Sequence, residues 1–167
     1  REEIAGAISL GHLEGVVEKE DRDRILGALD LSERTVEEIM LHRSSIEMIN
    51  FNDEPKEILA QCMASNHTRL PVYKDEPENI IGVFHVRRLI SYKNSDSKKF
   101  NIKSLSQKPW FIPESTKLDN QLMEFKKRKE HFSIVVDEYG EFLGIVTLED
   151  IIEEIVGDID DEQDMLK

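Results

Sequence analysis

Gly144-Ile145-Val146-Thr147-Leu148-Glu149-Asp150 is the stretch that decides the fold. A strand ends at Val146 and a helix begins within two or three residues, running over Leu148–Val156. Thr147 stands where an N-cap belongs, because its hydroxyl satisfies an orphan helix N–H. Asp150 falls three residues later, in the first turn. The same atoms admit two readings. One is a capping box with Asp in place of Glu. The other is a ligand site: a helix N-terminus attracts phosphate, and a carboxylate one turn in accepts hydrogen bonds from ribose hydroxyls.

The stretch is an echo. Gly82-Val83-Phe84 precedes Gly144-Ile145-Val146 by 62 residues, and Val72/Ile134, Asp75/Asp137, Ile81/Leu143, Val86/Leu148, Leu89/Ile151 and Ile90/Ile152 keep that spacing. The repeat reads without a gap from residue 70 to 90. Upstream it slips by one residue, matching Pro55, Leu59 and Cys62 to Leu118, Leu122 and Phe125. Each copy reads as a helix, two strands joined by a turn, and a second helix. In the first copy the strands are Leu70–Tyr73 and Ile80–Phe84, with Pro77 in the loop. In the second they are Phe132–Val136 and Phe142–Val146 around the turn Asp137-Glu138-Tyr139-Gly140. A short strand precedes each first helix, at Ile46–Ile49 and Trp110–Ile112. Copies this small bury little alone, so the expected fold is α+β, two βαββα repeats packed through their sheets. Tyr92–Asn101 is a polar linker. Glu2–Leu31 reads as two short helices, weakened between them by Gly11 and Gly15.

Composition limits the function. The 167 residues carry 22 basic and 35 acidic side chains, net −13, which argues against a general nucleic-acid binder. The charge is uneven: net −4 in 1–34 (five basic, nine acidic), −6 in 153–167 (one basic, seven acidic) and −3 in 35–152 (16 basic, 19 acidic). Hydrophobic residues make up 39%, enough for a packed core, and no apolar run reaches a membrane span. Cys62 is the single cysteine, which fits a reducing compartment and excludes a cysteine-based zinc site. The sequon Asn66-His67-Thr68 reads as chance. No Cys–His or Ser–His pairing with catalytic spacing is visible, so an enzyme is not expected. Opening on Arg1, the chain reads as a piece of a longer protein.

Thr68-Arg69-Leu70-Pro71-Val72-Tyr73 with Gly82-Val83-Phe84, and Ser133 through Gly140 with Gly144 through Asp150, resemble a pair of CBS domains, a Bateman module, over about residues 35–156. Thr35-Val36-Glu37-Glu38-Ile39-Met40, Ile145 through Gly157 and the acidic tail are similar to the CorC/HlyC family of magnesium and cobalt efflux proteins. That family includes hemolysin-like members and is related to the cyclin M-like transporters. The resemblance implies a division into 1–34, a helical connector from a membrane domain; 35–95, the first CBS domain; 96–157, the second; and 158–167, an acidic linker to a C-terminal domain.

It also implies an adenine-nucleotide site, for ATP with Mg²⁺ or for AMP or ADP, between the copies. On this resemblance Asp150 holds the ribose, and Thr147 stands beside the phosphates and ribose. Thr35 closes the adenosine site, Arg69 binds phosphate with His67 beside it, and Ile112 and Ile145 wall the base. Mg²⁺ would come with the phosphates, not through a protein site. Thr35 also reads as a plain helix cap and Arg69 as a carboxylate partner. The first copy departs from the pattern: Thr147 becomes His85 and Asp150 becomes Arg88, and an arginine cannot accept from hydroxyls. One nucleotide per chain is expected.

Lys126-Lys127-Arg128-Lys129 reads as a solvated helix face, or as help in attracting phosphates. Asp158, Asp160, Asp161, Glu162 and Asp164 read as a solvated linker, since they lack the glycine and closing Glu of a calcium loop. The expected function is a regulatory module on the cytoplasmic side of the membrane, attached to a transmembrane domain and forming a homodimer through its CBS domains. Other readings stand beside it: a CBS pair taking AMP or S-adenosylmethionine without metal, and a nucleotide-free dimerisation module.

Overall fold

The structure is a computed structural model that describes residues 30–91 and 100–165, with side chains as far as residue 157. Residues 1–29 of the expected helices and 92–99 of the linker lie outside the described residues. Two sheets carry the fold. In the first copy β2 (Ile49–Asn50), β3 (Arg69–Tyr73) and β4 (Ile80–His85) form a three-stranded sheet in that order. In the second, β5 (Phe111–Pro113), β6 (Phe132–Val136) and β7 (Phe142–Thr147) are joined by β1 (Leu41–His42), giving the order β1-β7-β6-β5. The helices are α1 (Val36–Ile39), α2 (Pro55–Ala64), α3 (Ile102–Leu105), α4 (Leu118–Arg128) and α5 (Leu148–Met165).

The strands β3, β4, β6 and β7 are buried on both faces, and the side-chain alternation sorts three cores. Leu70, Val72 and Phe84 face α2 and join Ile58, Cys62 and Phe100. Val135 and Val146 face the helices of the second copy and join Ile112, Leu118, Phe125 and Ile151. Ile80, Val83, Phe132, Ile134, Phe142 and Ile145 fill the space between the sheets. Two small copies thus share one apolar layer, as the repeat implied. Each fully buried large side chain there contributes about 1.5–3 kcal/mol.

The copies are threaded through each other. The segment before the first copy belongs to the second: Leu31 and Val36 lie in the second core, and β1 pairs antiparallel with β7. Arg34 adds a 2.6 Å ion pair to Glu154 of α5. In the same way the segment before the second copy returns to the first, where Gln107 and Val83 exchange backbone bonds of 2.9 Å. This threading explains the repeated glycines. A Cβ on Gly144 would lie 2.4 Å from the Leu41 carbonyl oxygen, and one on Gly82 would lie 2.9 Å from Ser106 Cβ. Close approach of a foreign strand, not backbone conformation, demands glycine at both places.

Two expectations are corrected. The strands before α2 and α4 are Ile49–Asn50 and Phe111–Pro113, not Ile46–Ile49 and Trp110–Ile112. Ile46 and Met48 pack into the layer between the sheets, and Trp110 stacks edge-on to Phe125 with Arg128 over its face. The repeat is not gapless: β3 pairs Val72 with Gly82, whereas β6 pairs Val135, not Ile134, with Gly144. The turn of the second copy is one residue shorter, so the slip lies in the hairpin. The expected second helix of the first copy is a 3-10 helix, Val86–Ser91. Arg87 and Arg88 place cations where the helix dipole favours acids, whereas α5 starts with Glu149 and Asp150. The strand β1 has no counterpart among the elements expected from the sequence.

Candidate functional site: a cavity between the copies

The helix start at Thr147 holds a reciprocal capping box. The Thr147 N–H donates to Asp150 Oδ2 at 3.0 Å, and the Asp150 N–H donates to the Thr147 hydroxyl at 3.2 Å. The capping reading is therefore correct as far as it goes. It leaves the second carboxylate oxygen of Asp150 without a hydrogen bond among the described residues. That half-buried carboxylate lines a cavity of about 510 Å³, the size range of small-molecule sites.

Both copies build this cavity. Thr147, Glu149, Asp150, Ile145 and Phe132 come from the second copy, and His67, Thr68 and Arg69 from the start of β3. Ile39, Met40 and Leu41 form the third wall, held there by the β1–β7 pairing. The result is one cavity whose lining joins apolar side chains with a carboxylate, a helix N-terminus and a guanidinium. Glu149 is tied to His131, with Oε1 3.0 Å from Nδ1. Burial pushes its carboxyl up, but the His131 hydrogen bond and the nearby His131 and Arg69 charges outweigh it and hold it below the usual range. His67 is exposed, 3.9 Å from Glu47, and its N–H donates to Ser65.

Five of the seven residues singled out in the sequence meet here: His67, Arg69, Ile145, Thr147 and Asp150. Thr35 and Ile112 are not among the lining residues. Thr35 caps α1, donating its N–H to Glu38 at 2.7 Å, and bridges to Lys117 before α4. Ile112 points to the helix side of its sheet, into the second core. Ile39, Met40, Leu41 and Phe132 escaped sequence reasoning. The only signal for the first three was the strand pairing that Gly144 permits. No group of three or more His, Cys, Asp or Glu side chains suited to a metal occurs among the described residues.

A second cavity of about 290 Å³ stands at the equivalent place on the first copy. There His85 replaces Thr147, Arg87 replaces Glu149 and Gln107 replaces Leu41, by the registers of β4 and β7 and of the two foreign segments. Burial, then the charges of Arg69, Arg87, Arg88 and His131, lower the His85 pKa.

Comparisons with known proteins agree with this architecture. The CBS domain profile matches residues 36–95 and 102–157. The magnesium and cobalt efflux protein CorC of Pasteurella multocida is 36% identical over 164 residues, covering 98% of this chain and 55% of that protein. The chain thus spans about half the length of the curated relatives it matches. A solved CBS domain of a bacterial CNNM/CorC family Mg²⁺ transporter is 34% identical with TM-score 0.87, covering 94% of this chain and 96% of that one. A CBS domain of the same family, solved in complex with ATP, is 37% identical with TM-score 0.76, covering 81% and 96%. No helix among the described residues is long and apolar enough to cross a membrane. Repeat, threading and likeness together place the chain in the CBS domain family, as a tandem pair of the kind found in CNNM/CorC proteins.

Proposed function

We propose that the larger cavity binds an adenine nucleotide, ATP together with Mg²⁺, and that the chain is the cytosolic regulatory module of a divalent-cation efflux protein. The observation that carries this reading is the meeting of Asp150, Thr147 and Arg69 in the lining of one cavity between two copies. The free carboxylate oxygen accepts from ribose hydroxyls. The α5 N-terminus and Arg69 attract phosphates. Ile145, Met40 and Leu41 offer the base an apolar wall. The related domain solved with ATP supports the choice of ligand. Mg²⁺ enters on the phosphates, offsetting their charge in a chain of net −13.

Because the walls come from both copies and from the segment before them, a bound nucleotide favours one arrangement of these parts. Regulation is then a population shift, transmitted through residues 30–42 toward a membrane domain. Thr35 acts on this reading through α1, whose C-terminal end carries Ile39 and Met40 into the wall. A homodimer through the CBS domains belongs to the same proposal.

Calorimetry of the chain with ATP, with and without Mg²⁺, and with AMP and S-adenosylmethionine tests it. Mg-ATP binds one per chain, and Asp150→Ala weakens it by about 2–4 kcal/mol, the loss of one or two charge-assisted hydrogen bonds. Absence of binding to every adenine ligand would leave a dimerisation module. Metal-independent binding of AMP or S-adenosylmethionine alone would replace ATP.

A further inference from the structure

The second cavity inverts the first. Where the larger cavity presents Glu149 and Asp150, the same positions of the first copy are Arg87 and Arg88. The second cavity is lined by Arg69, Arg87, Lys108 and Lys129, with His85 and His131, against one carboxylate, Glu130. Four permanent cations against one anion converge here in a chain of net −13. Among the described residues none of the four has a carboxylate oxygen within 4.0 Å; the ion pairs go elsewhere, to Arg34, Arg43 and Arg128 and to His67 and His131.

Unpaired cations held together repel one another, and the arrangement is relieved by an anion. Arginine and lysine only donate. A ligand here must therefore be rich in acceptors, and the position equivalent to Asp150 is Arg88, which cannot accept from ribose hydroxyls. The Nδ1 of His85 accepts from the Arg87 N–H at 3.1 Å, which leaves its other ring nitrogen as one more donor.

We propose that this second cavity is a phosphoryl-oxyanion site that recognises phosphate groups without a nucleoside. It stands whether or not the larger cavity takes a nucleotide. Arg69 and Phe132 line both cavities, so the two sites share a wall and one cation. The phosphoryl group has two possible sources, a free phosphate or pyrophosphate, or the terminal phosphates of a nucleotide seated next door.

The test is calorimetry of the full chain with sodium pyrophosphate in low-salt, phosphate-free buffer. Wild type binds one pyrophosphate per chain. Arg87→Gln with Lys108→Gln weakens it by about tenfold or more, the scale of a lost charge-assisted hydrogen bond. Lys126→Gln with Lys127→Gln removes the same charge from an exposed helix face and leaves binding unchanged. Thermal melts of both double variants show that each folds. Failure of wild type to bind pyrophosphate, or equal weakening by both pairs, would overturn the proposal. Two further arms separate the sources. If nucleotide phosphates fill the cavity, the Arg87/Lys108 pair weakens ATP but not AMP, and pyrophosphate competes with ATP. If a free anion fills it, pyrophosphate binds alongside saturating ATP.

Discussion

Replacing Gly144 with alanine should damage both the fold and the larger cavity, because a foreign strand crosses that residue. The new Cβ would stand 2.4 Å from the Leu41 carbonyl oxygen, 3.2 Å from its carbon and 3.0 Å from Met40 Sδ. Since Cβ contacts below 3.0 Å do not occur, β1 must retreat by at least about 0.6 Å. That strand holds only two residue pairs, Leu41 with Ile145 and His42 with Gly144, so the retreat strains or breaks its pairing. Lost backbone bonds cost about 1 kcal/mol each and the overpacking about 1–3 kcal/mol, for a total of about 2–4 kcal/mol. For a chain of this size the midpoint falls by roughly 10 °C. Gly82→Ala meets a softer neighbour, Ser106 Cβ at 2.9 Å with the Gln107 oxygen at 3.3 Å, and should cost about half as much. Gly157→Ala meets nothing within 4 Å inside α5 and should gain about 0.5–1 kcal/mol from helix propensity. Urea and thermal unfolding followed by circular dichroism measure all three. Because Ile39, Met40 and Leu41 wall the cavity, Gly144→Ala should also weaken nucleotide by about tenfold, read by calorimetry. A Gly144→Ala variant as stable as wild type, or no less stable than Gly157→Ala, would refute the threading argument.

Gln121 lies at 1% exposure with its Nε2 unpartnered, the one such buried side-chain atom among the described residues. Gln121→Met should raise stability by about 1–2 kcal/mol in urea unfolding, and a loss would show that the amide has a partner. Burial, with Glu47 adding its charge, pushes the Cys62 thiol up to about 11. At pH 8 the thiolate is scarce, so a disulfide reagent should modify Cys62 only as the chain unfolds in denaturant; labelling at the rate of a free cysteine would contradict this. His85 has a pKa below its ordinary 6.5 through burial and the cations Arg69, Arg87 and Arg88, with His131 beside it. The unfolded chain then binds more protons just below pH 6.5. The stability this gives is present above that pH and is lost as pH falls through it toward the folded value. Between pH 7.5 and 5.5 the melting midpoint of wild type should fall more than that of His85→Gln; Lys108, Lys129 and Glu130 line the same cavity and are common to both proteins. Equal slopes would remove His85 as the cause.

The repeat was legible because Gly82-Val83-Phe84 and Gly144-Ile145-Val146 mark the same close crossing twice. The cap at Thr147 and Asp150 was legible because its chemistry is local. The register of β3 against β6 was not. Both strands are buried on both faces, so they read as continuous apolar runs and show no alternation that would expose a one-residue slip. That same parity decides Ile112. It pairs with Val135 and faces the helices, while Ile145 faces the other way, and nothing in the sequence separates the two orientations. The two-residue strand β1 carries no pattern of its own. It exists because Gly144 leaves room for it, so the wall it forms became visible only with the topology.

The central claim concerns one cavity and one carboxylate. A crystal structure of the chain grown with ATP and Mg²⁺ tests it most directly. The account predicts one nucleotide per chain, its ribose on Asp150, its base between Met40 and Ile145, and its phosphates toward Arg69. A nucleotide lying elsewhere, or one in this cavity with Asp150 still bonded only to its own helix N-terminus, would contradict it.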